Sequence, residues 1–281
     1  MRIRLVVLFA VILLMLGTRT PGPPAPVKAG AFGRGPTIVL VHGLGSSRTH
    51  WLPVARRLAP RHRVVLADLP GHGETAMPQP FSLEQARVAL DRALDDTHEP
   101  VILVGHSLGG LVAAAETFAR PDRIAGLVLV ETALRPQVAP EDRPALLAGL
   151  ERGYVDLLRG AYLAFGRDSA QGRALYEQVA RMDPAVIKPW IRLAASADLS
   201  RAGGRCQVPV LVVLAERSWG RRESWDEVAR GLGYDALPNL RAVRLDGCGH
   251  FVMLDRPQAL AEAIERFARP PADTRALAAT F

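Results

Sequence analysis

Residues 103–110 read LVGHSLGG, an apolar run that stops at one serine set among three glycines. A serine is a weak nucleophile unless a base takes its proton and donors hold the oxyanion its attack creates. The chain offers candidates for both. HGLGSSRTHW (42–51) is a loop that can turn the backbone N–H of Leu44 towards the serine, and the N–H of Leu108 supplies a second donor. His42 itself reads as a structural residue. A base is expected late in the chain, after the last strand, and DGCGHFVMLDRP (246–257) places His250 there. The chemistry of such a set is acyl transfer to water. His250 takes the proton of Ser107, Ser107 attacks a carbonyl, and water then cleaves the acyl-enzyme. No metal or cofactor is implied.

Side chains used this way have to be delivered by regular elements. TIVLVHG (37–43), HRVVLADLPGHG (62–73), VILVG (101–105), IAGLVLVE (124–131), VPVLVVLAE (208–216) and RAVRLDG (241–247) have the short, β-branched character of buried strands. SLEQARVALDRALDD (82–96), LGGLVAAAETFAR and PQALAEAIERFA (257–268) have helical period, and the first opens on Ser82 as a cap. Strands alternating with helices predict an α/β fold, a mostly parallel sheet with helices on both faces. Reactive groups of such a sheet gather at the carboxyl ends of its strands. Ser107 lies at one of them, on a strand-to-helix turn of the form G-x-S-x-G, a nucleophile elbow. Gly105 and Gly109 are needed there because a Cβ would collide with the neighbouring chain. From Pro136 to about Arg205 no strand is predicted. PALLAGLERGYVDLLRGAYLAF and ALYEQVARM read as amphipathic helices of a cap over one end of the sheet, and their Leu, Ala, Tyr and Phe predict a largely apolar pocket.

HG…W, DLPGHG, GHSLGG and GCGHFVMLDRP occur in the order found in the α/β-hydrolase superfamily, which the chain resembles from residue 36 to about 269. A serine rather than an aspartate nucleophile sets it apart from the epoxide hydrolases and haloalkane dehalogenases of that fold. It looks like the esterase, lipase and carbon–carbon hydrolase side. The sequence departs from the family pattern at the acid. Most members carry it after the penultimate strand, in a pattern like G-x-x-D; here the stretch is LAERSWG (214–220), and Ser218 stands in the aspartate's place. A neutral serine cannot stabilise an imidazolium. Glu131 is the candidate replacement, because it ends the strand expected beside the serine strand, and some relatives place a glutamate there. It could instead cap or anchor the lid. Glu216 is the alternative acid, Glu223 and Asp226 are remote ones, and a Ser–His dyad is a further option.

The substrate implied is a small or medium, largely apolar carboxylic ester. Alternatives are a carbon–carbon hydrolase acting on a diketone-type acid, which an arginine from the insertion would favour, and a thioesterase or lactonase. A reading of another class is a non-catalytic binding or signalling protein, to which Ser218 lends weight.

Composition agrees with a globular body: 281 residues, 49% hydrophobic and 22% charged. The net charge of +7 is nearly all arginine, with Lys28 and Lys188 the only lysines. The arginines are scattered and not interleaved with aromatics, so no nucleic-acid partner is expected. Cys206 precedes one strand and Cys248 follows another, at opposite ends of a parallel sheet, so both are expected to be free. MRIR followed by LVVLFAVILLML (5–16) has the form of a signal peptide or N-terminal anchor, and predicts action outside the cytoplasm, periplasmic or secreted. A membrane is expected as partner only through that anchor. The division expected is leader 1–17, Pro/Gly-rich linker 18–35, hydrolase core 36–134, helical cap 135–205, core 206–270 and tail 271–281.

Overall fold

Seven short strands build one sheet: β1 (Ala29–Phe32), β2 (Thr37–Val41), β3 (Arg63–Ala67), β4 (Val101–His106), β5 (Ile124–Val130), β6 (Val210–Ala215) and β7 (Leu240–Leu245). The structure is a computed structural model and describes residues 23–269. The expected leader over 1–17 and tail over 271–281 lie outside the described residues. Strand order is β1-β3-β2-β4-β5-β6-β7. All pairs are parallel except β1 with β3. Every residue of β4 and β6 is buried, as both-faced cover requires.

Nine helices of seven residues or more are described: α1 (Leu52–Leu58), α2 (Leu83–Ala93), α3 (Leu108–Ala119), α4 (Arg143–Arg152), α5 (Tyr154–Phe165), α6 (Ser169–Val179), α7 (Pro184–Ala194), α8 (Trp225–Leu232) and α9 (Pro257–Ala268). Ser82 caps α2 by accepting from Gln85 N at 3.1 Å. Successive strand residues feed opposite faces. Leu103 and Leu127 pack with Leu90 of α2 and Val112 of α3. Their neighbours Val104 and Val128 pack with Val54 of α1 and Ile264 of α9.

The segment between β5 and β6 carries α4 to α7 and no strand. Two details of this segment go beyond its sequence pattern. The run over 144–165 is two helices, because Gly153 closes α4 and opens α5. Helix α7, not among the stretches singled out in the sequence, forms with Pro189 inside it, Pro184 in its first turn and Asp183 capping Ala185 N at 2.8 Å. It buries Trp190 completely.

The linker expected over 18–35 is corrected for its described part. Val27 is buried, and its N–H donates to Ala89 O at 2.9 Å. Residues 29–32 then pair with β3. AGAF shows no alternation and is mostly exposed, so no side-chain pattern announces it. It is a strand because the outer edge of β3 presents backbone donors and acceptors that need partners. Among the described residues no helix is long and apolar enough to cross a membrane.

Candidate active site

Ser107 sits between the end of β4 and the start of α3, with φ 53°. Only two non-glycine residues among those described have positive φ, and the other is Glu131, at 47°. Such backbone strain persists only where the surroundings over-determine it, and it concentrates at functional sites. Here the chain is pinned by Ser107 N donating to Val130 O and Glu131 N donating to Val213 O, both at 2.9 Å. The glycine requirement at 109 holds: a Cβ there would run into the His42 carbonyl. That contact brings the loop after β2 against the start of α3. A Cβ on Gly43 would lie 3.0 Å from the Cβ of Ser107.

Leu44 and Leu108 therefore flank the serine, and both line the same cavity as Ser107. Neither of their N–H groups has an acceptor among the described residues. Leu108 is the first residue of α3, whose opening N–H groups have no intrahelical partner and favour negative charge. The loop bearing Leu44 is held from below by two fully buried histidines. His42 Nδ1 donates to Gly43 O at 2.7 Å, the carbonyl of the peptide whose N–H belongs to Leu44. His72 Nε2 accepts from Gly45 N at 3.0 Å. Burial, then the neighbouring His42, pushes His72 down to about 3, so it stays neutral and can accept.

His250 follows β7 and directs Nδ1 at Glu131 Oε2, 3.0 Å away. The Glu131 carboxylate is buried and receives two further bonds, from Ala215 N to Oε1 at 2.7 Å and from Ser218 Oγ to Oε2 at 2.9 Å. The residue at the missing aspartate's position thus donates to the carboxylate that faces His250. A carboxylate bonded to His250 Nδ1–H leaves the imidazole Nε2 free to accept a proton. Glu216 is elsewhere: it is partly exposed and pairs with Arg221 at 2.6 Å. Glu223 caps Gly220 N, and Asp226 is exposed at the start of α8. No hydrogen bond joins Ser107 to His250 among the described residues, but both side chains line the same two cavities. Such contacts are often loose without substrate and tighten when it binds.

His106 lines the smaller cavity and donates Nε2–H to the His250 carbonyl at 2.9 Å. Burial, then the proximity of His250, holds it well below the ordinary imidazole range. His50 is half-buried and bonded to Ser46 and Gln178. Cys206 and Cys248 are free and buried. Among the described residues no three His, Cys, Asp or Glu side chains are grouped to hold a metal ion.

The two cavities meet at Ser107, Phe165 and His250. The smaller, about 200 Å³, is lined by Leu44, Leu157, Leu158 and Ala161 beside those residues. The larger, about 460 Å³, reaches Arg135, Gln137 and Arg217.

The profile of the alpha/beta hydrolase family matches residues 38–263. The chain is 28% identical over 258 residues to a pimeloyl-acyl-carrier-protein methyl ester esterase of Aeromonas hydrophila subsp. hydrophila, across 86% of this chain and 98% of that protein. A thermophilic esterase from Thermogutta terrifontis superposes with TM-score 0.72 at 22% identity, covering 86% of this chain and 92% of that one. The enol-lactonase from Burkholderia xenovorans does so with TM-score 0.72 at 23% identity, covering 86% and 95%. At these identities the two structures share the fold.

Proposed function

The chain belongs to the alpha/beta hydrolase family, and on that premise we propose that it cleaves a small-to-medium, largely apolar carboxylic ester through an acyl-enzyme on Ser107. The observation that carries this reading is the Glu131–His250 hydrogen bond behind a serine held at positive φ. Glu131 fixes the tautomer of His250, and His250 takes the proton of Ser107. The N–H groups of Leu44 and Leu108 receive the oxyanion. The leaving alcohol takes the proton back from His250, and water repeats the sequence on the acyl-enzyme. The narrow apolar cavity suits one side of the ester and the wider one the other.

The named activity of the Aeromonas relative, a methyl ester esterase, supports an ester as the bond cleaved. The reading of a non-catalytic binding protein rested on the absent aspartate, and a carboxylate bonded to His250 removes that ground. One observation favours a narrower reading, an ester that carries an acid group. Arg217 lines the wider cavity with its guanidinium 5.2 Å from the centre of the Phe165 ring, and it pairs with no carboxylate among the described residues. Export is proposed as well, on the leader sequence alone; N-terminal sequencing of the mature protein from fractionated cells tests it.

The test of the ester reading is hydrolysis of p-nitrophenyl esters of increasing acyl length by the wild type and Ser107→Ala. A measurable kcat in the wild type that vanishes in folded Ser107→Ala is expected. Activity that survives Ser107→Ala would exclude the acyl-enzyme.

A further inference from the structure

Caps in such folds are read as lids that select substrate, but this one reaches past the pocket into the reaction machinery. Tyr162 and Phe165 lie three residues apart on α5, so they share one face of one helical turn. Tyr162 is buried, and its hydroxyl donates to Leu44 O at 2.7 Å. Phe165 ends α5, where the last carbonyls have no intrahelical partner. Its carbonyl accepts from His250 N at 2.9 Å, and its ring stacks on the His250 imidazole at 4.5 Å between centroids. One turn of the cap thus grips both the loop that carries an oxyanion donor and the histidine.

The grip on the loop is specific. Leu44 lies between two peptide planes. His42 holds the carbonyl of the first, the plane that includes the Leu44 N–H. Tyr162 and His72 hold the second, from its carbonyl and its N–H. With both planes fixed, the direction of the Leu44 N–H is fixed. Gly45 has φ 63°, and a Cβ on it would run into the Tyr162 hydroxyl, so the loop and the tyrosine fit only with glycine there. A second cap residue joins in: Gln178 of α6 donates to Gly45 O at 3.1 Å and accepts from His50 Nε2 at 2.9 Å. Burial raises the Tyr162 phenol above its ordinary range, so it remains a donor at every working pH.

We propose that Tyr162 is a positioning residue for the Leu44 oxyanion donor and that Phe165 is one for His250, so that the cap must be seated for the site to be competent. The inference rests on the roles assigned above to Leu44 and His250.

The test compares Tyr162→Phe, which deletes one hydroxyl, with Ile264→Ala, which loosens the buried face of α9 where it packs on α1 and leaves the cap seated. Purified full-length proteins are assayed for kcat and KM on p-nitrophenyl butyrate, for the rate of fluorophosphonate labelling, and for the affinity of a boronic acid that forms a tetrahedral serine adduct. Loss of an oxyanion donor outright costs about a hundredfold or more in kcat. A misdirected donor should cost less, about tenfold. Tyr162→Phe is expected to lower kcat, labelling rate and boronate affinity together by about tenfold, with KM within about twofold. Ile264→Ala is expected to melt at a lower temperature with kcat within about twofold. Should Tyr162→Phe fold poorly, Gln178→Ala probes the same loop, with an expected loss in kcat of about threefold. The inference is overturned if folded Tyr162→Phe, or Gln178→Ala in its place, keeps wild-type kcat. It is equally overturned if Ile264→Ala loses as much. In those cases an active wild type leaves the ester reading standing, whereas a wild type inert to ester and probe overturns that reading as well.

Discussion

Replacing Glu131 by glutamine changes no shape and one chemical property. The carboxylate accepts three hydrogen bonds, two of them at Oε2 from His250 Nδ1 and Ser218 Oγ. An amide has one accepting end. If its oxygen faces His250, its NH2 meets the Ala215 N–H, donor against donor, in the buried place of Oε1. If its NH2 faces His250, it demands a lone pair on Nδ1 and so drives the ring proton to Nε2. In that tautomer His250 cannot take the proton of Ser107. The loss from a wrong tautomer is of the order of ten-thousandfold in kcat, about 5 kcal/mol of transition-state stabilisation. Substrate contacts are untouched, so KM should change little. Steady-state hydrolysis of p-nitrophenyl butyrate and the fluorophosphonate labelling rate should fall together in Glu131→Gln. Circular dichroism should report an unaltered fold. Glu216→Gln, which disturbs only an exposed pair with Arg221, should keep its rate within about twofold. A folded Glu131→Gln protein that loses less than about thirtyfold would refute the reasoning and leave a Ser–His dyad.

Ser218→Ala removes one donor to Glu131 Oε2; a drop in kcat of several-fold and a loss of about 1 kcal/mol in urea unfolding are expected. Ser218→Asp on the Glu131→Gln background returns a carboxylate to the position usual in the family, and should recover at least about tenfold of the lost kcat if that position also reaches His250. Gly109→Ala drives a Cβ into the His42 carbonyl; thermal melting should show a loss above about 2 kcal/mol, with labelling of Ser107 abolished. Glu116, buried on α3, is pushed up to about 7 from 4.5 by that burial, against the pull of Arg87. The unfolded chain releases this proton first, so stability is lost as pH rises from about 4.5 to about 7, by at most roughly 3 kcal/mol. Glu116→Gln should therefore gain on the wild type between about pH 5 and about pH 8 in urea unfolding, and a difference independent of pH would contradict it.

The serine turn and the late histidine were legible because each is a local signal. A strand that stops at G-x-S-x-G and a histidine after glycines need no tertiary knowledge to be placed. Glu131 was legible one step further out, since adjacency of β4 and β5 puts a glutamate at the end of β5 beside Ser107. What Ser218 does was not legible. As a serine in the aspartate's place it reads as a loss, and only the packing of the β6 turn over Glu131 makes it a donor. The same holds for Tyr162, which as a sequence residue is one more apolar position in an amphipathic helix. Its hydrogen bond to Leu44 spans 118 positions in the chain. Strand β1 was missed for a simpler reason, the lack of any pattern in its residues.

The central claim is that Ser107 is an activated nucleophile that forms an acyl-enzyme. Intact-mass spectrometry of the wild type, quenched during turnover of an activated ester and after reaction with a fluorophosphonate, tests it directly. The account predicts a single acyl or phosphonyl adduct per chain, mapped to the peptide containing Ser107 and absent from folded Ser107→Ala. A wild type that hydrolyses the ester while no adduct forms on Ser107, or whose adduct persists in Ser107→Ala, would contradict it.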